Sequence, residues 1–309
     1  MAAAIATRAK PRGRWNFRKT WMLHLFLLPS VLLLLVYSYV PMAGIVIAFQ
    51  NYKTYKGIRG SEWVGFEHFR TMFTDERIVQ IISNTLVIAV SKMVAGWIVP
   101  LLFALLLNEI RISLVKRTVQ TLVYLPHFLS WVVLGGILTD MLSEQGIVNG
   151  LLRSLGLPSV FFLGNGNWFQ FTLVVSDVWK EFGFGTIIYL AALAGVNQSL
   201  YEAAEIDGAN RWRQTLHITL PSILPVGVII GTLSLGNILN AGFDQVFNMM
   251  NPIVAGRGEI IDTYVYKIGL LQGAFSFATA VGLFKSVVSL LLIGVTYRLA
   301  YRFAGYRIF

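Results

Sequence analysis

An all-α integral membrane protein is the fold class this sequence predicts, and three observations carry it. Of 309 residues, 56% are hydrophobic and only 13% are charged, where soluble domains carry about 25% charged residues. Six apolar stretches have the length of a membrane helix, about 17–25 residues. Most of the 25 Lys and Arg flank these stretches, which is how basic residues orient helices in a bilayer. A mean hydropathy of +0.66 agrees.

Residues 1–20 form a basic N-terminal segment, with Arg8, Lys10, Arg12, Arg14, Arg18 and Lys19. Trp15, Phe17 and Trp21 interleave with these charges and suit a lipid headgroup region. Residues 21–309 form one six-helix membrane domain with no internal repeat. Its apolar stretches run over about 21–49, 78–107, 118–142, 168–194, 223–239 and 275–300. The first is too long for a signal peptide, whose apolar core is about 7–15 residues; Pro29 and Pro41 should bend it or mark an end. Fourteen Lys and Arg fall on the side of the two termini against eight on the other. That bias puts both termini in the cytoplasm. Basic charge distributed in this way speaks for membrane lipid as a partner and against nucleic acid.

The sequence has no cysteine, which excludes disulfides and thiolate chemistry. His24, His68, His127 and His217 lack metal-ligand spacing. No nucleophile or acid–base set gathers in one place, so the chain reads as a transport subunit and not as an enzyme. No lysine follows a glycine, so a phosphate-cradling Gly-Lys loop is missing. The chain therefore holds no cofactor, and ATP with its Mg must be handled by a partner.

The most charged interruption is the loop 197–221, which contains "YEAAEIDGANRWRQTLHITLP". Ser199 and Glu202 have capping-box spacing, predicting a helix over about 200–207. Gly208 then stands where a left-handed residue ends a helix. Asn210 should cap a second short helix, which Pro221 closes.

Glu202-Ala203-Ala204, then Gly208, then Ile218-Thr219-Leu220-Pro221 resemble the EAA signature of permeases in binding-protein-dependent ABC importers. The stretches "YVPMAGIVIAFQNYKTYKGIRGSEWVGFEHF", "IIDTYVYKIG" and "AVGLFKSVVSLLL" extend the resemblance over nearly the whole chain from Arg18. They are similar to the polysaccharide-type sugar permeases, the branch of the LplB-like proteins and of one alginate-importer permease. Gln198 departs from that branch, where proline is common; the cap and the signature are untouched.

The resemblance implies the type I importer (MetI-like) fold of six transmembrane helices with a cytoplasmic coupling helix, in the bacterial inner membrane. It implies a second, different permease chain, two ABC ATPase subunits and an extracytoplasmic solute-binding protein that delivers an oligosaccharide. It assigns Glu202, Ala203, Ala204, Asp207, Gly208 and Arg211 to docking on the ATPase. Capping and docking by Glu202 are compatible.

Charged residues inside spans cost about 2.5–3.5 kcal/mol each on insertion scales, so they face the bundle interior, water or one another. Asp177, Lys180 and Glu181 can pair locally. A sharper reading has Lys92, Lys180 and Lys285 at similar depth, lining a path for an acidic sugar. Gly227 and Gly231 on the fifth stretch fit close helix packing, and Asn237 and Asn240 continue a small or polar face bordering that path. An alternative is an ion-gradient-driven secondary transporter with Asp177 and Glu181 as its ion sites. It predicts transport without an ATPase, and usually an internal repeat.

Overall fold

The computed structural model describes residues 17–304, with side chains over 21–298. Arg8, Lys10, Arg12, Arg14 and Trp15 of the basic segment lie outside the described residues, and so do the side chains of Arg18 and Lys19. Two compact units, residues 1–46 and 47–309, divide the chain.

The first unit contains helix α1 (Phe17–Leu34), which continues through a wide π turn (Leu35–Tyr39) and a short helical segment (Val40–Met42). The backbone then tightens into a 3-10 helix, Ala43–Phe49. Pro29 lies inside the helix, whereas the last α-helical turn closes at Met42, one residue after Pro41. Proline lacks an N–H and clashes with the carbonyl four residues back; the π turn just before Pro41 widens the backbone there, with the Val40 N–H reaching the Leu35 carbonyl. Side chains from Trp21 to Met42 are mostly exposed.

In the second unit a two-stranded ribbon, β1 (Gln50–Asn51) and β2 (Glu62–Trp63), pairs antiparallel with Gln50 opposite Trp63. Helix α2 (Glu76–Glu109) is the second span, capped by Asp75, whose carboxylate accepts from the Arg77 N–H at 2.9 Å. The third apolar stretch is broken. Helix α3 (Ser113–Tyr124) passes into a 3-10 turn at Pro126, and α4 (Trp131–Leu142) restarts on a Ser130 cap. The segments on either side of the break are bent by 103°. Helix α5 (Gly166–Ala194) is the fourth span, capped by Asn165, and turns by 69° into α6 (Gln198–Ile206).

The fifth span corrects an expectation. Pro221 does not close a short helix: the chain runs continuously from Arg211 through a π turn (Thr215–Thr219) into α7 (Leu220–Leu235). Here too a π turn ends two residues before the proline, with the Leu220 N–H bonded to the Thr215 carbonyl. Short helices α8 (Phe243–Met249), α9 (Ala255–Gly258) and α10 (Ile261–Tyr266) follow, and α11 (Phe275–Ala304) is the last span. Among the described residues, four helices are thus long and apolar enough to cross a membrane, and up to six if each bent pair is one span.

Close packing is set by small residues. A Cβ on Gly183 would lie 2.1 Å from the Val123 carbonyl oxygen, so α5 and α3 touch backbone to backbone. Gly227 and Gly231 of α7 face the Trp97 indole of α2, whose Nε1 donates to the Gly227 carbonyl at 2.8 Å.

Candidate functional site

The loop between the fourth and fifth spans is a bracket built from local hydrogen bonds. Its first cap is Asn197, whose side chain accepts from the Ser199 N–H at 3.0 Å. The expected Ser199–Glu202 capping box is absent, because the helix starts two residues earlier and Ser199 is already inside it. Asparagine is among the best N-caps. The α6 helix ends with the Ala209 N–H on the Ala204 carbonyl at 2.8 Å and Gly208 at φ 74°, the left-handed stop the sequence predicts. Asn210 caps the next helix by accepting from the Arg213 N–H.

Three further contacts brace the bracket. The Tyr201 hydroxyl and Thr219 hydroxyl are 2.9 Å apart, Gln214 Nε2 donates to the Ala209 carbonyl at 3.0 Å, and Arg211 Nη1 donates to Glu109 Oε2 at 2.7 Å. Glu109 is the last residue of α2. Glu202, Ala203, Asp207 and Gly208 stay exposed while Ala204 is half-buried. Ile206 at the tip is 87% exposed.

Three lysines within the spans, Lys92, Lys180 and Lys285, each pair with a carboxylate. Lys92 Nζ, buried, reaches Asp177 Oδ1 at 3.2 Å, the Ala241 carbonyl at 2.7 Å and the Gln245 side-chain oxygen. Gln245 is fully buried and donates to the Leu173 carbonyl and the Ser176 hydroxyl. Lys180 Nζ bonds Glu181 at 2.8 Å and the His127 carbonyl at 2.9 Å, so it closes a carbonyl freed by the break after α3. His127 Nδ1 lies 2.7 Å from the other Glu181 oxygen, and its ring stacks on Phe184.

Lys285 Nζ bonds Asp262 at 2.6 Å and Asn240 at 2.8 Å. Tyr266, one turn beyond Asp262 on α10, packs on the stacked rings of Phe243 and Phe247. Asp177 therefore pairs across helices with Lys92 and not with its neighbour Lys180. Asn237 and Asn240 are exposed.

His127, Gln245 and Asp262 carry these pairs and were not legible as site residues. They lie at a helix break and in the segment between the last two spans, where no helical period fixes a facing side. Among the described residues no group of three or more His, Asp or Glu could hold a metal ion.

The family model of the binding-protein-dependent transport system inner membrane component matches residues 96–304, from mid-α2 to the end of α11. This chain belongs to that family. Among its relatives is the polygalacturonan/rhamnogalacturonan transport system permease protein YteP of Bacillus subtilis strain 168. The two are 46% identical over 282 residues, covering 91% of this chain and 88% of the relative. LplB of the same organism is 44% identical, covering 89% and 87%. A crystal structure of a bacterial ABC transporter involved in import of the acidic polysaccharide alginate superposes with a TM-score of 0.86. The identity is 36%, and the match covers 93% of this chain and 98% of that one. A crystal of the alginate transporter in complex with alginate pentasaccharide-bound periplasmic protein matches equally well. The several apolar helices agree with an inner membrane component.

Proposed function

We propose that this inner membrane component is one of two permease subunits in an ATP-driven importer, taking an acidic oligosaccharide from a solute-binding protein into the cytoplasm. The observation that carries the reading is the bracket. All its residues from Glu202 to Gly208 except the half-buried Ala204 are exposed, while its base is tied to α2 through Arg211 and Glu109. A stiff, protruding element of this kind can transmit force from a separate motor to the spans.

ATP and Mg bind the two ATPase subunits. Both termini and the bracket face the cytoplasm, and a different permease chain completes the path. Glu202, Ala203, Ala204, Asp207, Gly208 and Arg211 meet the ATPase. Lys285, with Asp262, Asn240 and Asn237 beside the Tyr266–Phe243–Phe247 rings, offers planar polar groups and aromatic faces suited to a sugar. Lys92, Asp177, Lys180 and Glu181 set the electrostatics of the same path. Binding protein and ATP would shift the permease pair between two arrangements by their different affinities for each. The engagement of Asp177 and Glu181 by lysines favours this reading over an ion-gradient carrier with free carboxylates.

The test is uptake of radiolabelled oligogalacturonide into proteoliposomes holding the purified complex. Uptake should need ATP, the ATPase subunits and a binding protein together. Uptake driven by an ion gradient alone would overturn the reading.

A further inference from the structure

The end of α2 remote from the bracket carries a polar cluster that the transport path does not use. Arg77 and Glu109 are separated by 32 positions along α2, or about 48 Å at about 1.5 Å per residue. That exceeds the roughly 30 Å hydrocarbon layer, so this end lies across the membrane from the bracket.

Glu259 is only 2% exposed, an unusual place for a carboxyl group. One oxygen accepts from Arg77 Nη2 at 3.1 Å; the other has no hydrogen bond and lies 3.7 Å from Lys267 Nζ. Its backbone is fixed as well. Asn84 Nδ2 donates to the carbonyls of Gly256 and Glu259, and Gln80 donates to Asn84. Gly258 sits so close to Phe169 that a Cβ would lie 2.5 Å from the ring.

A buried ion pair gives little net stability once desolvation is counted, so the fold gains little from burying Glu259. What it does achieve is to hold Arg77. The guanidinium is clamped by the carboxylate on one side and lies 5.8 Å from the Tyr264 ring centroid on another. Burial pushes the Tyr264 phenol above its ordinary value. Even so, the Arg77 side chain is 60% exposed and Lys267 is 45% exposed, so their remaining N–H donors face outward.

Two shallow notches meet at Gln80 beside Arg77. One, about 310 Å³, is lined by Phe73, Val79 and Ser83; the other, about 280 Å³, has Ala255, Gly256 and Glu259 in its wall. Of the acids that precede it in the chain, Asp75 is occupied as the cap of α2, and Glu76, exposed, lines the first notch. A pre-positioned arginine between partly apolar notches is the composition of a protein-interface hot spot. Its planar donors match a carboxylate.

We propose that Arg77, positioned by Glu259 and assisted by Lys267, receives an acidic side chain of the solute-binding protein. This rests on the importer reading above. Pre-positioning lowers the ordering cost of docking, and the partner's charge adds long-range attraction that salt screens.

The experiment measures ATPase turnover of the complete complex in nanodiscs against the concentration of the binding protein that stimulates it, loaded with oligogalacturonide, at about 50 and about 300 mM NaCl, where screening differs. Arg77→Gln should raise the half-saturating concentration about tenfold, leave the maximal rate unchanged and flatten the salt dependence. Arg77→Lys should keep part of the affinity, and Glu259→Gln should shift it in the same direction as Arg77→Gln. An unchanged half-saturating concentration in Arg77→Gln overturns the inference. So does a fall in maximal rate alone, which would mark a contact inside the path, or loss of the partner permease on purification. Failure of the binding protein to stimulate the wild-type complex would overturn the importer reading itself, and the docking site with it.

Discussion

Arg211 Nη1 donates to Glu109 Oε2 at 2.7 Å, joining the first residue after the bracket's second cap to the last residue of α2. Both side chains are about half exposed. A pair of that kind contributes only about 0–1 kcal/mol to stability, so its importance lies in making the bracket move with the span. Arg211→Ala and Glu109→Ala should each leave the melting temperature of the purified complex within a degree or two. Each should reduce sugar transported per ATP several-fold, and the reversed pair Arg211→Glu with Glu109→Arg should restore it. Transport assays coupled to phosphate release check this.

Gly208 turns the bracket at φ 74°, and a Cβ added there would meet no atom within 4 Å. The cost of a side chain there is therefore backbone strain alone, about 1–2 kcal/mol for an L-residue in the left-handed region. Gly208→Val should insert and assemble normally but raise ATP hydrolysed per sugar imported. Gly208→Asn, which tolerates that region, should be milder. Parallel assembly and coupling measurements separate the two effects.

Gly183 has no such freedom, since a Cβ would overlap the Val123 carbonyl. Gly183→Ala must separate α5 from α3 and disturb the Lys180–His127 contact one turn away. Overpacking of this type costs about 1–3 kcal/mol. The expected outcome is a lowered melting temperature and a weaker yield of the intact permease pair, read by thermal shift and size-exclusion chromatography.

Lys92→Met would leave Asp177 and Gln245 without their cation. Breaking a buried pair by removing one member costs about 3–5 kcal/mol, while replacing both with apolar residues is often neutral. The single variant should be strongly destabilised, and Lys92→Met with Asp177→Leu should recover much of the loss. Thermal denaturation in one detergent provides the comparison.

The spans were legible because a membrane helix is long and apolar by necessity, and the bracket because its signals are local. Gly208 and Asn210 act where the sequence places them; only the first cap moved, from Ser199 to Asn197, because two good capping residues stand two positions apart. Pro221 misled because the helix runs on through a π turn just before it, and no residue type announces such a turn. Pairing among the membrane charges was least legible. Depth follows from counting residues, but which carboxylate meets Lys92, Lys180 or Lys285 depends on helix rotation and on chain far away in sequence, such as Ala241, Gln245 and Asp262.

The central claim is that the loop around Glu202 works against a separate motor on the cytoplasmic side. The chain's lack of cysteine makes a single Ile206→Cys reporter clean. In right-side-out vesicles this cysteine should resist a membrane-impermeant thiol reagent added outside. In the assembled complex it should crosslink to an ATPase subunit at a rate that changes when ATP is added. Labelling from outside, or no crosslink to that subunit in any nucleotide state, would contradict the account.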